Sequence, residues 1–333
     1  MKTHKQATRT AKRNLMIIVI VILLGIGTVV YRLADRYLIE HVEVVVADDP
    51  AGNVSTAGST GGTAGTSSTS AAAAADTSAE INATSDDWSY TSDDIQIKID
   101  QVESGSGSDL ITYYVADVVL KEASSLRSAF ADNSFGTNIT ENTSAIASGI
   151  DAIFAINGDY YGFRDDGVII RNGTLYRDEP ARDAMALLED GTMQTYNEEE
   201  VSSSELLAEG ATNTLSFGPV LIQDGEITSD FSSVKIDNNF GNRSIQDANP
   251  RTAIGMIAPN HYVFVVVDGR KEGYSRGMTL AELADVMSGL GATEAYNLDG
   301  GGSSTMYFMG RVVNNPLGKN KERGVSDILY IKE

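Results

Sequence analysis

A glycine-rich segment next to an acidic residue is the part of this sequence best suited to chemistry. It reads NLDGGGSS and comprises Asn297, Leu298, Asp299, Gly300, Gly301, Gly302, Ser303 and Ser304. Successive glycines after a strand let backbone N–H groups turn toward one point, which suits phosphate, and the two serines add hydroxyl donors. Asn297 and Asp299 are two residues apart, so at a strand end they point the same way. We therefore predict an anion-binding site here, against the alternative of a bulged turn.

A second acidic strand end lies earlier in the chain, where the apolar run AIFAI continues into Asn157, Gly158 and Asp159. Two strand ends of this kind predict a pair of carboxylates, Asp159 and Asp299. Paired carboxylates break glycosidic bonds, because one acts on the anomeric carbon while the other manages a proton or a water. An ordinary Asx turn explains Asn157 and Asp159 equally well.

Arginines supply the third component. Arg251 enters a strand, Asp268 and Arg270 end the next strand, and Arg323 precedes the last apolar run. The planar guanidinium fork fits phosphate oxygens, although a single arginine is more often part of a surface ion pair. Together with the glycine segment and the carboxylates, these arginines indicate a site for an anionic, hydroxyl-rich ligand such as a sugar phosphate.

Strands are the main elements available to position these residues. Apolar or alternating runs predict strands at residues 95–102, 110–120, 152–156, 168–170, 220–222, 262–267 and 328–331. The dipeptides Asn172-Gly173, Asp190-Gly191 and Asp224-Gly225 predict hairpins, since they supply the positive φ of two-residue turns.

The helices predicted in this part of the chain are fewer. Thr279 and Glu282 form a capping-box pattern that begins a helix ending before Gly291, and shorter helices are predicted at 144–148 and 204–208. No sustained βαβ alternation is present. The predicted fold class is therefore α+β, a mainly antiparallel mixed sheet with few helices packed on it.

Composition excludes several kinds of site. The chain has 333 residues, 25 Lys plus Arg against 46 Asp plus Glu, a formal charge of −21 and no cysteine. Disulfides, thiolate metal sites and cysteine nucleophiles are therefore excluded. A multi-histidine zinc centre is excluded too, because only His261 could serve the domain. No basic cluster lies beyond the first thirteen residues, which argues against nucleic acid as a partner.

The N-terminal part predicts a membrane anchor. Residues 15–31 carry no charge, and the length of this run is close to the roughly 20 residues that a helix needs to cross a bilayer. The lysines and arginines before the run predict a cytoplasmic N-terminus. We predict a basic tail at 1–14, one transmembrane helix at 15–33, a juxtamembrane segment and disordered Ser/Thr/Ala/Gly-rich linker at 34–87, and an extracellular domain at 88–333. A cleaved signal peptide is the alternative to an anchor, and residues 37–47 are either a strand or a helix extension.

The motifs INGDYYGF, NPRTAIGM, VVVDGR and NLDGGGSS resemble those of the phosphodiester glycosidase family, and the likeness covers about residues 95–331. That family hydrolyses the bond between a sugar's anomeric carbon and a phosphodiester oxygen, and many bacterial relatives are linked to exopolysaccharide or cell-wall glycans. The site residues that the resemblance implies are Asn157, Asp159, Arg251, Asp268, Arg270, Asn297, Asp299, Gly300, Gly301 and Ser303.

From this resemblance, together with the N-terminal apolar run, we expect a membrane-anchored extracellular hydrolase that acts on sugar-1-phosphodiesters in a surface polysaccharide or glycan. Asp299 is the expected nucleophile or base, with Asn157 beside it and Asp159 as its partner or as a ligand for Ca²⁺ or Mg²⁺. The expected substrate-binding residues are Arg251, Asp268, Arg270, Asn297, Gly300, Gly301, Ser303, Ser304 and Arg323. A non-catalytic module that binds phosphorylated glycan, or a purely structural surface protein, would carry the same loops.

Overall fold

The computed structural model describes residues 2–46, 83–228, 231–234 and 245–333. Most of the predicted linker, residues 47–82, lies outside the described residues. The helices within these ranges are α1 (Lys2–Tyr37), α2 (Thr143–Gly149), α3 (Ser203–Ala208) and α4 (Leu280–Gly289).

The strands of the described residues are β1 (His41–Val45), β2 (Thr84–Ser85), β3 (Ser89–Thr91), β4 (Ile95–Ser104), β5 (Ile111–Leu120), β6 (Leu126–Phe130), β7 (Ser134–Thr137), β8 (Phe154–Asn157), β9 (Gly167–Arg171), β10 (Thr174–Glu179), β11 (Asp183–Leu188), β12 (Met193–Asn197), β13 (Ala211–Leu215), β14 (Val220–Gln223), β15 (Glu226–Ile227), β16 (Arg251–Ala258), β17 (His261–Val267), β18 (Glu294–Leu298), β19 (Met306–Phe308), β20 (Arg311–Val312) and β21 (Asp327–Ile331). The predicted domain strands and helices are all present, and their ends move by no more than two residues.

Two antiparallel sheets form the body of the described domain. The larger has nine strands in the order β15-β14-β18-β16-β17-β5-β4-β3-β2, and the smaller has five in the order β20-β19-β8-β21-β6. Every strand pair within both sheets is antiparallel. The prediction of an α+β fold with a mainly antiparallel sheet is therefore confirmed. The larger sheet already includes β2, so it begins before Trp88, the predicted start of the domain.

The core lies between these two sheets, and helices cover their outer faces. Alternation along β17 shows this, because Tyr262, Phe264 and Val266 pack toward the smaller sheet. Val263, Val265 and Val267 of the same strand pack on the opposite face, against α4. On the far side of the smaller sheet, α2 packs against β8 and β21. A strand buried on both faces explains why this segment reads as a continuous apolar run.

Local sequence signals account for the ends of several elements. Thr279 and Glu282 form the predicted capping box at the start of α4, with the Glu282 N–H donating to the Thr279 Oγ1 over 3.3 Å. Asn172 and Gly173 both adopt positive φ between β9 and β10, as a two-residue hairpin turn requires. The hairpin at Gly191 is also present, but its loop is longer than predicted.

Residues 35–45 of the predicted juxtamembrane segment contact the folded domain. β1 pairs with β7, and the side-chain Nδ2 of Asn138 donates to the backbone oxygens of Asp35 over 3.1 Å and Ile39 over 2.7 Å. Residues 41–45 are therefore a strand and not an extension of the helix. Among the residues that the structure describes, no helix is long and apolar enough to cross a bilayer. The transmembrane helix is therefore unconfirmed and stays a prediction from the sequence.

Gly136 is what allows β1 to approach β7. A Cβ at this position would lie 1.9 Å from the backbone oxygen of His41, so Gly136→Ala is expected to separate β1 from β7 while both large sheets persist. Hydrogen exchange measured by mass spectrometry should then show faster exchange in β1. Gly149→Ala is the control, because a Cβ there meets nothing within 4 Å. Unchanged protection of β1 in Gly136→Ala would contradict the pairing.

Candidate active site

The two acidic strand ends that the sequence singles out meet through Asn157. Its Nδ2 donates to the backbone oxygens of Asp299 over 2.8 Å and Gly158 over 3.0 Å. Its Oδ1 accepts from the Thr252 hydroxyl over 2.8 Å and the Thr305 N–H over 3.3 Å. The side chain is fully buried and both its polar atoms are occupied. Asn157 therefore joins the ends of the two sheets, and it does not present an atom to a substrate as the prediction required.

Of the two predicted catalytic carboxylates, only that of Asp299 has an oxygen without a hydrogen bond from the described residues. Its Oδ2 accepts from the Ser303 hydroxyl over 2.6 Å and from Nη2 of Arg323 over 2.8 Å. Within the described ranges, no hydrogen bond reaches its Oδ1. The residue is 8% exposed, and burial raises the pKa of its carboxyl, while the charges of Arg323 and Arg164 and the Ser303 hydroxyl oppose that rise.

Arg323 lies across the glycine segment with its guanidinium at the surface. Its Nε donates to the Ser303 hydroxyl oxygen over 3.2 Å, and its side chain is 46% exposed. A Cβ at Gly302 would lie 3.1 Å from its Cδ, so the glycine makes room for the arginine stem. This arginine therefore contacts both Asp299 and solvent.

The glycine segment is packed more tightly than the predicted anion nest. The N–H of Gly301 donates to the Pro250 oxygen over 2.9 Å, and the N–H of Ser303 donates to the Gly300 oxygen over 3.2 Å. A Cβ at Gly300 would lie 2.6 Å from the same Pro250 oxygen. Two of the N–H groups of the predicted nest are thus used within the protein. Close packing requires glycine at 300, and the positive φ of 64° favours it at 301.

Arg270 borders this segment from the other side. A Cβ at Gly301 would lie 3.1 Å from its Nη2, so its guanidinium lies over that glycine. The same Nη2 donates to the Asn249 Oδ1 over 2.9 Å, and the residue is exposed. The structure therefore brings two of the predicted arginines, Arg270 and Arg323, to the loop that carries Asp299.

Arg251 has a different role from the one predicted. It is 2% exposed and donates to the backbone oxygens of Met278 over 2.9 Å, Ile245 over 2.6 Å and Asp247 over 2.8 Å. Burial, together with the charge of Arg270, lowers its pKa to about 10. Its guanidinium holds backbone segments together through Nε and Nη2.

Asp268 and Asn297 are likewise buried beneath the site. Asp268 accepts from the Tyr274 hydroxyl over 2.7 Å, from Nδ2 of Asn314 over 2.8 Å and from the Asn315 N–H over 2.9 Å, and burial raises its pKa. Asn297 donates through Nδ2 to the Gly218 oxygen over 2.8 Å. Both residues support the loops around Asp299. Ser304 is buried as well, with no hydrogen-bond partner for its hydroxyl among the described residues.

Asp159, the predicted partner of Asp299, is bonded within the protein interior. Its Oδ1 accepts from the Tyr161 N–H over 3.0 Å, its Oδ2 accepts from the Ser216 N–H over 3.0 Å, and Nη2 of Arg171 lies 3.1 Å from Oδ2. The side chain is completely buried. Both oxygens are committed to the protein interior, so Asp159 offers no oxygen to a water, a sugar or a cation in this arrangement.

Sequence reasoning missed the partners of Asp159. Asp327 shares the same arginine, with its Oδ2 accepting from Nε of Arg171 over 2.7 Å, and all three side chains are at most 1% exposed. We call Asp159, Arg171 and Asp327 the buried charge cluster. The available signal was weak: Arg171 ends an apolar hairpin strand, and Asp327 opens another apolar run.

Arg164 is a further arginine that the sequence did not single out. Its guanidinium carbon lies 5.2 Å from the ring centre of Tyr160 and 5.0 Å from that of Phe217. Its Nη1 donates to the Ser216 oxygen over 3.1 Å, so it is tied to the residue that binds Asp159. Because its charge helps to hold down the pKa of Asp299, it belongs to the positive surroundings of that carboxylate.

Cation binding stays a prediction. Across the described ranges, acidic and histidine side chains do not form any group of three or more that could hold a metal ion.

The comparisons with known proteins identify the family of the chain. The family described as phosphodiester glycosidase matches residues 151–332, more than half of the chain. The chain belongs to the phosphodiester glycosidase family. The matched range contains Asp159, Asp299 and Arg323, and the resemblance stated from the motifs is confirmed.

Two curated relatives illustrate how far the family likeness extends. The chain is 32% identical over 206 residues to the SPbeta prophage-derived uncharacterized protein YomE of Bacillus subtilis, covering 59% of this chain and 30% of that protein. It is 31% identical over 133 residues to the N-acetylglucosamine-1-phosphodiester alpha-N-acetylglucosaminidase of Bos taurus, covering 38% of this chain and 24% of that enzyme. The chain therefore spans less than a third of the length of these relatives.

Solved structures share the fold. The catalytic domain of the zebrafish N-acetylglucosamine-1-phosphodiester alpha-N-acetylglucosaminidase, auto-inhibited by its pro-peptide, aligns with a TM-score of 0.55 at 22% identity, covering 72% of this chain and 83% of that one. A hypothetical protein from Synechocystis aligns with a TM-score of 0.52 at 16% identity, covering 72% of this chain and 62% of that one. At these identities the likeness concerns the fold alone.

Proposed function

We propose that this chain is a hydrolase that cleaves the glycosidic bond of sugar-1-phosphodiesters. Family membership supports a hydrolase acting on phosphodiester glycosides. The observation that carries the proposal is the contact between Asp299 and Arg323, in which a largely buried carboxylate with one available oxygen lies 2.8 Å from a half-exposed guanidinium. That pairing fits a substrate with an anomeric carbon next to a phosphate.

The chemistry follows from these two groups. Arg323 and Arg270 hold the anionic phosphate oxygens, and Asp299 attacks the anomeric carbon or takes a proton from the water that attacks it. The bond between the anomeric carbon and the phosphate oxygen breaks, and its electron pair leaves on the phosphate. Since the departing phosphate already carries charge that the arginines stabilise, protonation by a second carboxylate is less necessary. This is consistent with the buried, committed position of Asp159.

The remaining parts of the proposal concern location and substrate. The uncharged run at residues 15–31 supports a single-pass membrane anchor with a cytoplasmic N-terminus and an extracellular domain. An extracellular, acidic enzyme of this kind would act on a phosphorylated cell-surface polysaccharide or glycan. A non-catalytic phosphoglycan-binding module is the second candidate, favoured by the finding that only one of the two predicted carboxylates is available.

The test is release of reducing sugar from UDP-N-acetylglucosamine by the purified full-length chain. We expect release from this sugar-1-phosphodiester and none from p-nitrophenyl N-acetylglucosaminide, which lacks the phosphate that Arg323 and Arg270 would hold. Other nucleotide sugars are tested in parallel, so that specificity for a sugar other than N-acetylglucosamine is not mistaken for a lack of activity. Saturable, salt-sensitive binding of these compounds by the folded protein without any bond cleavage would favour the binding module.

A further inference from the structure

In the structure, the side chains of Asp299 and Arg323 are bonded to each other. The Oδ2 of Asp299 accepts a hydrogen bond from Nη2 of Arg323 over 2.8 Å and one from the Ser303 hydroxyl over 2.6 Å. The Nε of Arg323 also donates to that hydroxyl oxygen over 3.2 Å. The arginine that would hold the phosphate is therefore engaged by the carboxylate that would act on the sugar, and a productive complex has to rearrange this contact.

The two side chains differ in their freedom to rearrange. The side chain of Arg323 is 46% exposed, whereas that of Asp299 is 12% exposed. The arginine stem rests on Gly302, where a Cβ would lie 3.1 Å from its Cδ, so no side chain at 302 locks it in place. Arg323 can turn toward a ligand at the surface, while Asp299 stays below with Ser303. A phosphodiester offers the guanidinium two oxygens in a geometry that matches its fork.

We propose that the phosphodiester group of the substrate takes Arg323 away from Asp299, and that this exchange frees the carboxylate to act at the anomeric carbon. The inference rests on the proposed function and adds an order of events to it. The ligand chemistry that drives the exchange is a singly charged phosphodiester, independent of the sugar attached to it. Ser303 keeps its hydrogen bond to Asp299 throughout and preserves the orientation of the carboxylate.

The exchange has a measurable consequence in protons. Burial raises the pKa of Asp299, and the positive groups that face it, Arg323 and Arg164, oppose that rise, with Arg270 lying over the neighbouring Gly301. When a phosphate anion binds Arg323, it cancels part of this positive potential. The pKa of Asp299 then rises further in the complex, and a fraction of a proton is taken up on binding.

Binding of dimethyl phosphate to the full-length chain tests this without any turnover. This probe is a phosphodiester without a sugar, so it presents only the group that should displace Arg323. Isothermal titration calorimetry in buffers of different ionisation enthalpy, between pH 4 and 8, should show proton uptake in the wild type and none in Asp299→Asn. Arg323→Gln should weaken binding by about tenfold to a hundredfold, as loss of a charge-assisted pair implies. Arg127→Gln, which alters an exposed arginine of β6, is the matched control and should bind like the wild type.

Several outcomes would overturn the exchange. These are no binding of the probe, binding without proton uptake throughout this pH range, equal uptake in Asp299→Asn, or unchanged affinity in Arg323→Gln. Failure of the proposed function is seen separately, as an absence of sugar release by a protein that still takes up a proton with dimethyl phosphate. Where turnover is present, the acid limb of kcat should lie at higher pH than that of kcat/KM, because kcat reports the complex.

Discussion

Asp299→Asn is expected to lower kcat for sugar release by about 10²–10⁴-fold, the range that loss of a general base or nucleophile produces. Asparagine keeps the shape of the carboxylate and can still accept hydrogen bonds from Ser303 and Arg323, but it can neither attack the anomeric carbon nor take a proton. The measurement is steady-state release of reducing sugar from UDP-N-acetylglucosamine, with the thermal unfolding midpoint followed in parallel.

Asp285→Asn is the matched control, because Asp285 is an exposed acidic residue of α4 whose loss should leave kcat within about twofold of the wild type. Asp159→Asn distinguishes the role of Asp159 from that of Asp299. Since the Asp159 side chain is buried and paired with Arg171, its replacement should lower the stability of the fold more than the intrinsic rate of the folded fraction. A folded Asp299→Asn variant with wild-type kcat would remove Asp299 from the mechanism.

Much of the fold follows from local sequence patterns. The capping box of α4 and the turn at Asn172-Gly173 are short-range signals, because the capping residues bond backbone N–H groups of their own helix and the turn residues themselves adopt positive φ. Six strands of the two large sheets, β4, β5, β8, β14, β17 and β21, were predicted from apolar or alternating runs. Their pairing into two layers with a core between them is a long-range property, and nothing in a single strand specifies its neighbour.

A further, three-stranded sheet, β12-β11-β13, shows where prediction from local sequence fails. Its central strand reads DAMALL, a composition rich in good helix formers, yet residues 184–188 are all buried in an extended conformation. Pairing with two neighbours and packing of both faces override the helix preference. Long-range pairing with β7 likewise makes residues 41–45 a strand, although a long stretch separates them from the rest of the domain in sequence.

The sequence singled out loops that the structure brings together, while the roles of the site residues stay predictions. The strands predicted before them placed Asn157 and Asp299 at strand ends, and in the structure the Asn157 side chain donates a hydrogen bond to the backbone oxygen of Asp299. Residue types alone could not distinguish Arg323, which is half exposed beside Asp299, from Arg251, whose donors are used by backbone oxygens. The distinction depends on which side chains the two sheets enclose, and it becomes visible only in three dimensions.

Arg171→Met is expected to destabilise the fold by about 3–5 kcal/mol, because it leaves two buried carboxylates without their shared counter-charge. Chemical denaturation at pH 7.5 measures this, and Arg127→Met, an exposed arginine on a neighbouring element, should cost less than about 1 kcal/mol. Combining Arg171→Met with Asp159→Asn and Asp327→Asn should recover part of the loss, since the three groups form one unit. A loss for Arg171→Met no larger than that of the control would show that the buried charge cluster does not hold the fold together.

The same cluster makes stability depend on pH in an unusual direction. Burial, with Asp159 nearby and Arg171 opposing, raises the pKa of Asp327 to about 7, above the roughly 3.9 of an unfolded aspartate. A group whose pKa is higher in the folded state binds more protons there, so its contribution is complete below about pH 4 and is lost as the pH rises to about 7. Asp327→Asn should therefore remove this contribution, so that the free energy of unfolding of the variant falls less, or rises more, between pH 4 and 7 than that of the wild type. An identical slope in both proteins would mean that Asp327 is already ionised across this range, with Arg171 outweighing the effect of burial.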